Sequence, residues 1–144
     1  MSVEPGILDA NVLVYALHAD APQHAASRAL LDAARTSATT LYVTSQILCE
    51  FYSIVTNARR VSKPRSPEDA VRAISTLLTF LRVLPMPAGT VEALLELLHR
   101  RPVTGGDVFD LQIVATMQAN GVQRIYTFNA DDFEVFPELA VLTP

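Results

Sequence analysis

The chain has 144 residues, enough for one domain with a sizeable core, and half of them are hydrophobic against 18% charged, which excludes a disordered or fibrous polypeptide. No apolar run reaches the length of a membrane span, and the start, Met1-Ser2-Val3-Glu4-Pro5-Gly6, lacks the basic segment that opens a secretory leader. A net charge of −4 argues against non-specific adhesion to nucleic acid, but it leaves room for an anionic partner docked locally through a metal. The lone Cys49 sits among apolar residues and reads as a small buried side chain in a reducing, cytoplasmic compartment.

Taken in order, Ile7-Leu8-Asp9-Ala10-Asn11-Val12-Leu13-Val14 reads as an apolar strand that Asp9 and Asn11 interrupt. Hydrophobic strands with polar residues where they emerge belong to parallel, helix-covered sheets, whose ligands gather at the strands' carboxyl ends. Asp9 therefore falls where a site is expected. Residues 23–35 carry Ala26, Leu30, Leu31 and Ala34 at helical spacing, and His18 and His24 near their start have no ligand-like neighbour. Residues 39–44 are a short β-rich run. Thr44 or Ser45 then caps a helix to about residue 58, with Ile47, Leu48, Phe51, Ile54, Val55 and Ala58 as its apolar stripe. Glu50 lies at the edge of that stripe, with Gln46, Ser53 and Asn57 on the polar side.

Arg59, Arg60, Lys63 and Arg65 share a stretch broken by Pro64 and Pro67, so four of the eleven basic residues occupy one loop, a candidate for contact with phosphates. Ser66 caps the next helix and Pro67 opens it; it runs to about residue 81 with Val71, Ile74, Leu77, Leu78 and Leu81 inward. Residues 83–85 are a short strand, and 90–100 a helix with Val91, Leu94, Leu95 and Leu98 inward. Gly105 and Gly106 form a turn, Asp107 caps an amphipathic helix to Asn120, and Gly121 is its left-handed stop. Within that helix Asp110 shares a face with Ile113, Val114 and Met117, so its carboxylate is turned toward apolar surroundings and needs a partner. Residues 122–128 are a strand that runs straight into Asn129-Ala130-Asp131-Asp132-Phe133, and 139–142 are a last edge strand. The alternation predicts an α/β fold, a parallel β-sheet flanked by helices, as a single domain over residues 1–144.

Asp9, Glu50, Asp110 and the 129–132 segment all place polar groups where apolar elements end or face inward. Several carboxylates in one pocket raise each other's pKa, and a divalent cation removes that penalty. Oxygen donors without His or Cys suit Mg²⁺ or Mn²⁺ rather than zinc, and such ions serve in-line displacement at phosphorus.

These motifs, in this order and over nearly the whole chain, resemble the PIN-domain nucleases and, within them, the VapC-type toxins of bacterial toxin–antitoxin pairs. The carriers are Ile7-Leu8-Asp9-Ala10-Asn11-Val12-Leu13, Thr44-Ser45-Gln46-Ile47-Leu48-Cys49-Glu50-Phe51, Val108-Phe109-Asp110-Leu111-Gln112-Ile113-Val114-Ala115-Thr116 and Ile125-Tyr126-Thr127-Phe128-Asn129-Ala130-Asp131-Asp132-Phe133. The resemblance implies a three-layer α/β/α fold and an endoribonuclease that leaves a 5′-phosphate and a 3′-hydroxyl. It also implies a homodimer and an antitoxin that inserts a segment over the acids. The family's acids map onto Asp9, Glu50 and Asp110 as metal-binding and catalytic residues. Many members have an aspartate where this chain has Asn129, so Asp131 or Asp132 is expected to reach in from the same loop, and the number of metals stays open. The Asn129 departure also keeps a second reading alive, a PIN-like scaffold that binds RNA or protein without cutting. A receiver-type phosphorylation module needs a lysine after a late strand, and the only lysine, Lys63, lies in the basic loop. A haloacid-dehalogenase-like phosphatase needs a second aspartate where Asn11 stands.

Overall fold

A computed structural model describes residues 2–144. Gly6–Leu8 (β1), Leu41–Val43 (β2), Arg82–Val83 (β3), Arg124–Tyr126 (β4) and Ala140–Leu142 (β5) form one all-parallel sheet in the order β3-β2-β1-β4-β5. In register, Ile7 lies beside Tyr42 on one side and Ile125 on the other. The central strand is wholly buried, as a parallel sheet covered on both faces requires.

The helices are Ala10–Ala16 (α1), His24–Arg35 (α2), Ser45–Val55 (α3), Pro67–Leu77 (α4), Gly89–Arg100 (α5) and Val108–Ala119 (α6). The chain steps outward from β1 to β2 to β3 and then crosses back to β4. Right-handed crossovers place the helices of these two movements on opposite faces. The packing agrees: α1 lies against α2 and α3, α3 against α4, and α5 against α6. The reversal between β1 and β4 is the switch point at which open α/β sheets leave a crevice.

Several sequence expectations change register here. The expected strand over 7–14 stops at Leu8, and Asp9, with extended backbone, accepts the Ala10 N–H and caps α1. Val12, Leu13 and Val14 are buried because α1 is covered on most sides, and a continuous apolar run does not distinguish such a helix from a strand. The helix after Gly106 is likewise not amphipathic: Leu111 and every residue from 113 to 117 are buried, so α6 is a core helix. Asp107 precedes it in a 3-10 turn over Gly105–Asp107, and its side chain makes no capping bond. Along α4 and α5 the inward faces are narrower than expected, since Val71 is 56% exposed, Leu78 is also exposed, and Val91 and Leu95 are each 61% exposed. Leu97, absent from the expected stripe, is the deepest leucine of α5. Cys49 is exposed, because α3 buries Ile47, Phe51 and Val55, and two residues past Ile47 lies about 200° around the helix.

A Cβ added at Gly6 would lie 2.9 Å from the Arg124 carbonyl oxygen and 3.0 Å from the Tyr126 ring, whereas one at Gly89 would meet nothing within 4 Å. Gly6→Ala is therefore expected to lose about 1–3 kcal/mol through a forced backbone shift between β1 and β4. Gly89→Ala is expected to change stability by less than about 1 kcal/mol, and in the stabilising direction. Urea denaturation of both variants beside the wild type checks the contrast.

Candidate active site

The strand that matters most ends at Leu8, and the next residue, Asp9, is 8% exposed. Its Oδ1 accepts the Ala10 N–H at 2.8 Å, and its Oδ2 accepts the hydroxyl of Thr127, the residue that follows β4, at 2.8 Å. Thr127 is itself fully buried and also accepts the Asn129 N–H at 3.0 Å. Asn11 completes the stitch, with its Oδ1 accepting the Phe128 N–H at 3.2 Å. These bonds join the carboxyl ends of β1 and β4 across the switch point and fix the direction of the Asp9 carboxylate. They do not neutralise it. Burial pushes its pKa up, the Thr127 and Ala10 hydrogen bonds pull it back, and the charge of Asp132 pushes it up again.

Glu50 arrives from a different element. Thr44, the residue after β2, accepts the Ile47 N–H and starts α3 at the same sheet edge. Glu50 is half-buried; burial raises its pKa, a 2.9 Å bond from Gln46 opposes this, and Asp9 raises it further. Asp110 stands in the first turn of α6 and is also half-buried. Its pKa rises from 3.8 to about 6, chiefly through burial and then through the charges of Asp132, Asp9, Glu50 and Asp107.

Asp110 thus feels the charges of both Asp9 and Glu50, Glu50 feels that of Asp9, and Asp132, from the loop after β4, raises both Asp9 and Asp110. Asp131 lines the adjoining cleft but is not among the charges felt by Asp9 or Asp110, and Asn129 is exposed. That cleft, about 170 Å³, is bordered by Asp107, Asp110, Asp131, Asp132 and, on the same wall, Arg101. Among the described residues, no three acids, histidines or cysteines are gathered tightly enough to enclose an ion by themselves. A hard divalent cation such as Mg²⁺ does not require such an enclosure, since it keeps several waters, takes one or two carboxylates directly and completes its shell from a substrate phosphate. The all-oxygen donor set fits Mg²⁺ or Mn²⁺.

The basic loop borders a different cleft. Arg60, Lys63 and Arg65 line a cleft of about 770 Å³ whose floor includes Asn11, Tyr15 and His18, while Arg59 stands exposed outside it. Asn11, whose amide lies 3.4 Å from the Asp9 carboxylate, is the point at which the basic cleft meets the acids.

A PIN-domain family model matches residues 6–139. The chain belongs to the PIN-domain family. Among curated proteins it is 33% identical over 110 residues to Ribonuclease VapC43 of Mycobacterium tuberculosis, covering 75% of each chain. It is 26% identical to Ribonuclease VapC24 of the same species over 90% of this chain and 89% of that one. The fold is that of VapC20 of Mycobacterium tuberculosis, a sarcin–ricin-loop-cleaving toxin, with a TM-score of 0.70 at 21% identity over 96% of this chain and 98% of that one. It is equally like VapBC2 of Rickettsia felis bound to promoter DNA, with a TM-score of 0.69 at 21% identity over 99% of both chains. The sequence motifs assign no role to Thr127, Gln46 or Arg101. Thr127 carries the one local signal, a hydroxyl where a buried parallel strand emerges.

The raised acids set a pH dependence. Asp110 titrates near 3.8 when unfolded and about 6 when folded, so its penalty is absent at acid pH and grows as pH rises through that window. In the metal-free PIN domain at pH 7.5, Asp110→Asn is expected to stabilise by about 1 kcal/mol after allowance for solvent screening, or about 2–4 °C in Tm. At pH 4 the gain is expected to vanish. Thermal melts in chelator at the two pH values check the sign.

Proposed function

We propose that the chain is a divalent-metal-dependent endoribonuclease that acts as the toxin of a toxin–antitoxin pair, as a single PIN-like unit over residues 1–144. The observation that carries this reading is the gathering of acids around Asp110 at the sheet's switch point, where it feels the charges of Asp9, Glu50 and Asp132. The named relatives are ribonucleases, and PIN-domain VapC nucleases generally depend on a divalent metal.

Asp9 and Asp110 would hold Mg²⁺, with Mn²⁺ as substitute, and Asp132 would join them from its loop. The ion supplies Lewis acidity toward a phosphodiester and neutralises the gathered acids. Glu50, held by Gln46, orients the attacking water and accepts its proton as the new P–O bond forms. The P–O3′ bond breaks, the departing oxygen takes up a proton, and the products carry a 5′-phosphate and a 3′-hydroxyl. Thr127 and Asn11 keep Asp9 aimed throughout. Arg60, Lys63 and Arg65 would hold backbone phosphates of a strand that enters along the large cleft and reaches the acids past Asn11. Arg59, exposed beyond the cleft, would meet phosphates farther out.

The same surface suits an antitoxin. A second cavity, about 300 Å³, shares Leu17, Arg65 and Asp69 with the first, and sets an apolar floor of Leu13, Leu31 and Phe80 beneath Arg28, Arg35 and Arg72. A segment with apolar and acidic residues would complement it. Two structural neighbours are a VapBC-1 assembly from nontypeable Haemophilus influenzae and a toxin–antitoxin complex from Klebsiella pneumoniae. Exposed Val71 on α4 with Leu78 just past its end, and Val91 and Leu95 on α5, favour a homodimer, since solvent-facing apolar helix faces mark association surfaces. No helix among the described residues is long and apolar enough to cross a membrane, and the reading places the protein with its RNA in the cytoplasm. The non-cutting scaffold suggested by Asn129 finds no support in the geometry, because Asp132 brings a fourth charge to the set.

Asp9→Asn or Asp110→Asn is expected to lower cleavage of RNA in Mg²⁺ by about 10²- to 10³-fold while the protein stays folded. Undiminished cleavage in either variant, followed by sequencing of RNA ends, ends the nuclease reading. Replacing Arg60, Lys63 and Arg65 with Gln is expected to raise KM and to lower the salt slope of binding by about 0.7 for each single-strand phosphate left without a cation. Filter binding across a salt series reads this directly. Val91→Lys with Leu95→Lys is expected to shift the protein from dimer to monomer in sedimentation analysis.

A further inference from the structure

Gln46 stands in the first turn of α3, one helical turn before Glu50. Its amide nitrogen donates to the Glu50 Oε1 at 2.9 Å and to the Phe109 carbonyl oxygen at 2.9 Å. An NH₂ group has two hydrogens, and both are used: one on the acid of its own helix, the other on the residue immediately before Asp110. The partners fix which way the amide faces, because the reverse orientation would set its oxygen against a carboxylate and a carbonyl. In the orientation adopted, the amide oxygen is buried and has no hydrogen-bond partner. A methionine would fill the same space without stranding an acceptor. Gln46 therefore occupies a position that packing alone would not choose, as groups with a functional constraint do.

The other end of the tie explains the constraint. The first turn of α6 is held loosely by its own sequence. It follows Gly105, at φ +59, and Gly106, with open space beside both, and Asp107 makes no side-chain cap. Phe109 is 53% exposed, so packing does not anchor this turn either. Among the described residues, Gln46 supplies the side-chain hydrogen bond between α3 and α6. It does so at two of the acids whose charge a divalent ion would neutralise.

We propose that Gln46 is a positioning residue of the acid centre: by tying Glu50 to the first turn of α6 it sets the separation of Glu50 and Asp110, and with it the affinity for the divalent ion. The proposal rests on the metal-dependent reading above. In this role Gln46 acts through Glu50 and the first turn of α6.

Two variants test it. Gln46→Met keeps the length and removes both donors; Gln46→Asn keeps the amide but is one methylene too short to reach both partners. Mn²⁺ binding is followed by electron paramagnetic resonance on protein shown to be folded by circular dichroism, with Asp9→Asn as a control. Both variants are expected to bind Mn²⁺ about 10-fold more weakly, in the range seen when a partner that orients a metal ligand is lost. They are also expected to cut RNA with a lower kcat at an unchanged KM. A folded variant that holds Mn²⁺ within about twofold of wild type, while Asp9→Asn abolishes binding, overturns the positioning role and leaves the nuclease reading standing. If wild type itself binds no Mn²⁺, or Asp9→Asn binds it undiminished, the metal-dependent reading fails and the role of Gln46 falls with it.

Discussion

Repulsion among carboxylates held away from bulk water is the constraint to which the carboxyl edge of the sheet is fitted. Asp9 is buried, Glu50 and Asp110 are half-buried, and the charge of Asp9 raises the other two while that of Glu50 raises Asp110. The chain answers this with neutral donors. Thr127 and the Ala10 amide serve Asp9, and Gln46 serves Glu50. Such donors orient a carboxylate and offset part of its desolvation while leaving its charge in place. A lysine or arginine locked against Asp9 would have relieved the repulsion more completely, but it would also have filled the place of an external cation and closed the site. A set of acids braced by hydroxyls and amides is one built to receive positive charge from outside.

Charge is also separated on a larger scale. The net charge of −4 conceals the arrangement in which the acids crowd one side of Asn11 and Arg60, Lys63 and Arg65 line the cleft on the other. On the proposed reading, an RNA backbone would be attracted to the cleft and repelled by the acids until an ion neutralised them. The two fields would then oppose each other, and a bound ion would lower the barrier to a phosphate near the acids.

Much of this is legible in the residues. Asp9 at a strand's end, Glu50 on a helix rim and Asp110 in a first turn are identifiable because a charged group amid apolar neighbours departs from a strong local pattern. The parallel sheet follows from buried strands alternating with helices. What escapes has physical reasons. Residues 10–16 are apolar on nearly every side, and period carries no information once both faces are covered. Val91 and Leu95 fit an inward stripe by spacing alone, but a helix does not declare which of two apolar faces meets the core, and Leu97 takes that place. Cys49 has apolar neighbours in sequence, whereas exposure depends on angle around α3. The choice of Asp132 over Asp131 depends on a 3-10 turn over Ala130–Asp132, which residue types alone do not specify. Thr127 and Gln46 are polar in the ordinary way until a partner distant in sequence, Asp9 or Phe109, is brought beside them.

Some departures from local rule belong to other parts of the chain: Ser37 stands at φ +61, and the buried hydroxyls of Ser27, Thr39 and Thr90 have no partner. Gly121, at φ +69, is an ordinary helix stop far from the acids. At the carboxyl edge of the sheet four such features fall together: a buried aspartate, an amide oxygen without a partner, a core helix entered through an uncapped turn and an acid titrating near 6. Natural sequences break local consistency where function demands it and restore it elsewhere. Here the restoring part is the central sheet, with Ile7, Leu8 and Ile125 fully buried, and the α1 and α6 helices packed beside it. Those apolar contacts hold the strand ends in fixed register, so the strain of gathered charge is borne by a frame that does not yield. A softer frame would let the acids drift apart and relieve their repulsion, and the affinity for a cation would be lost with it.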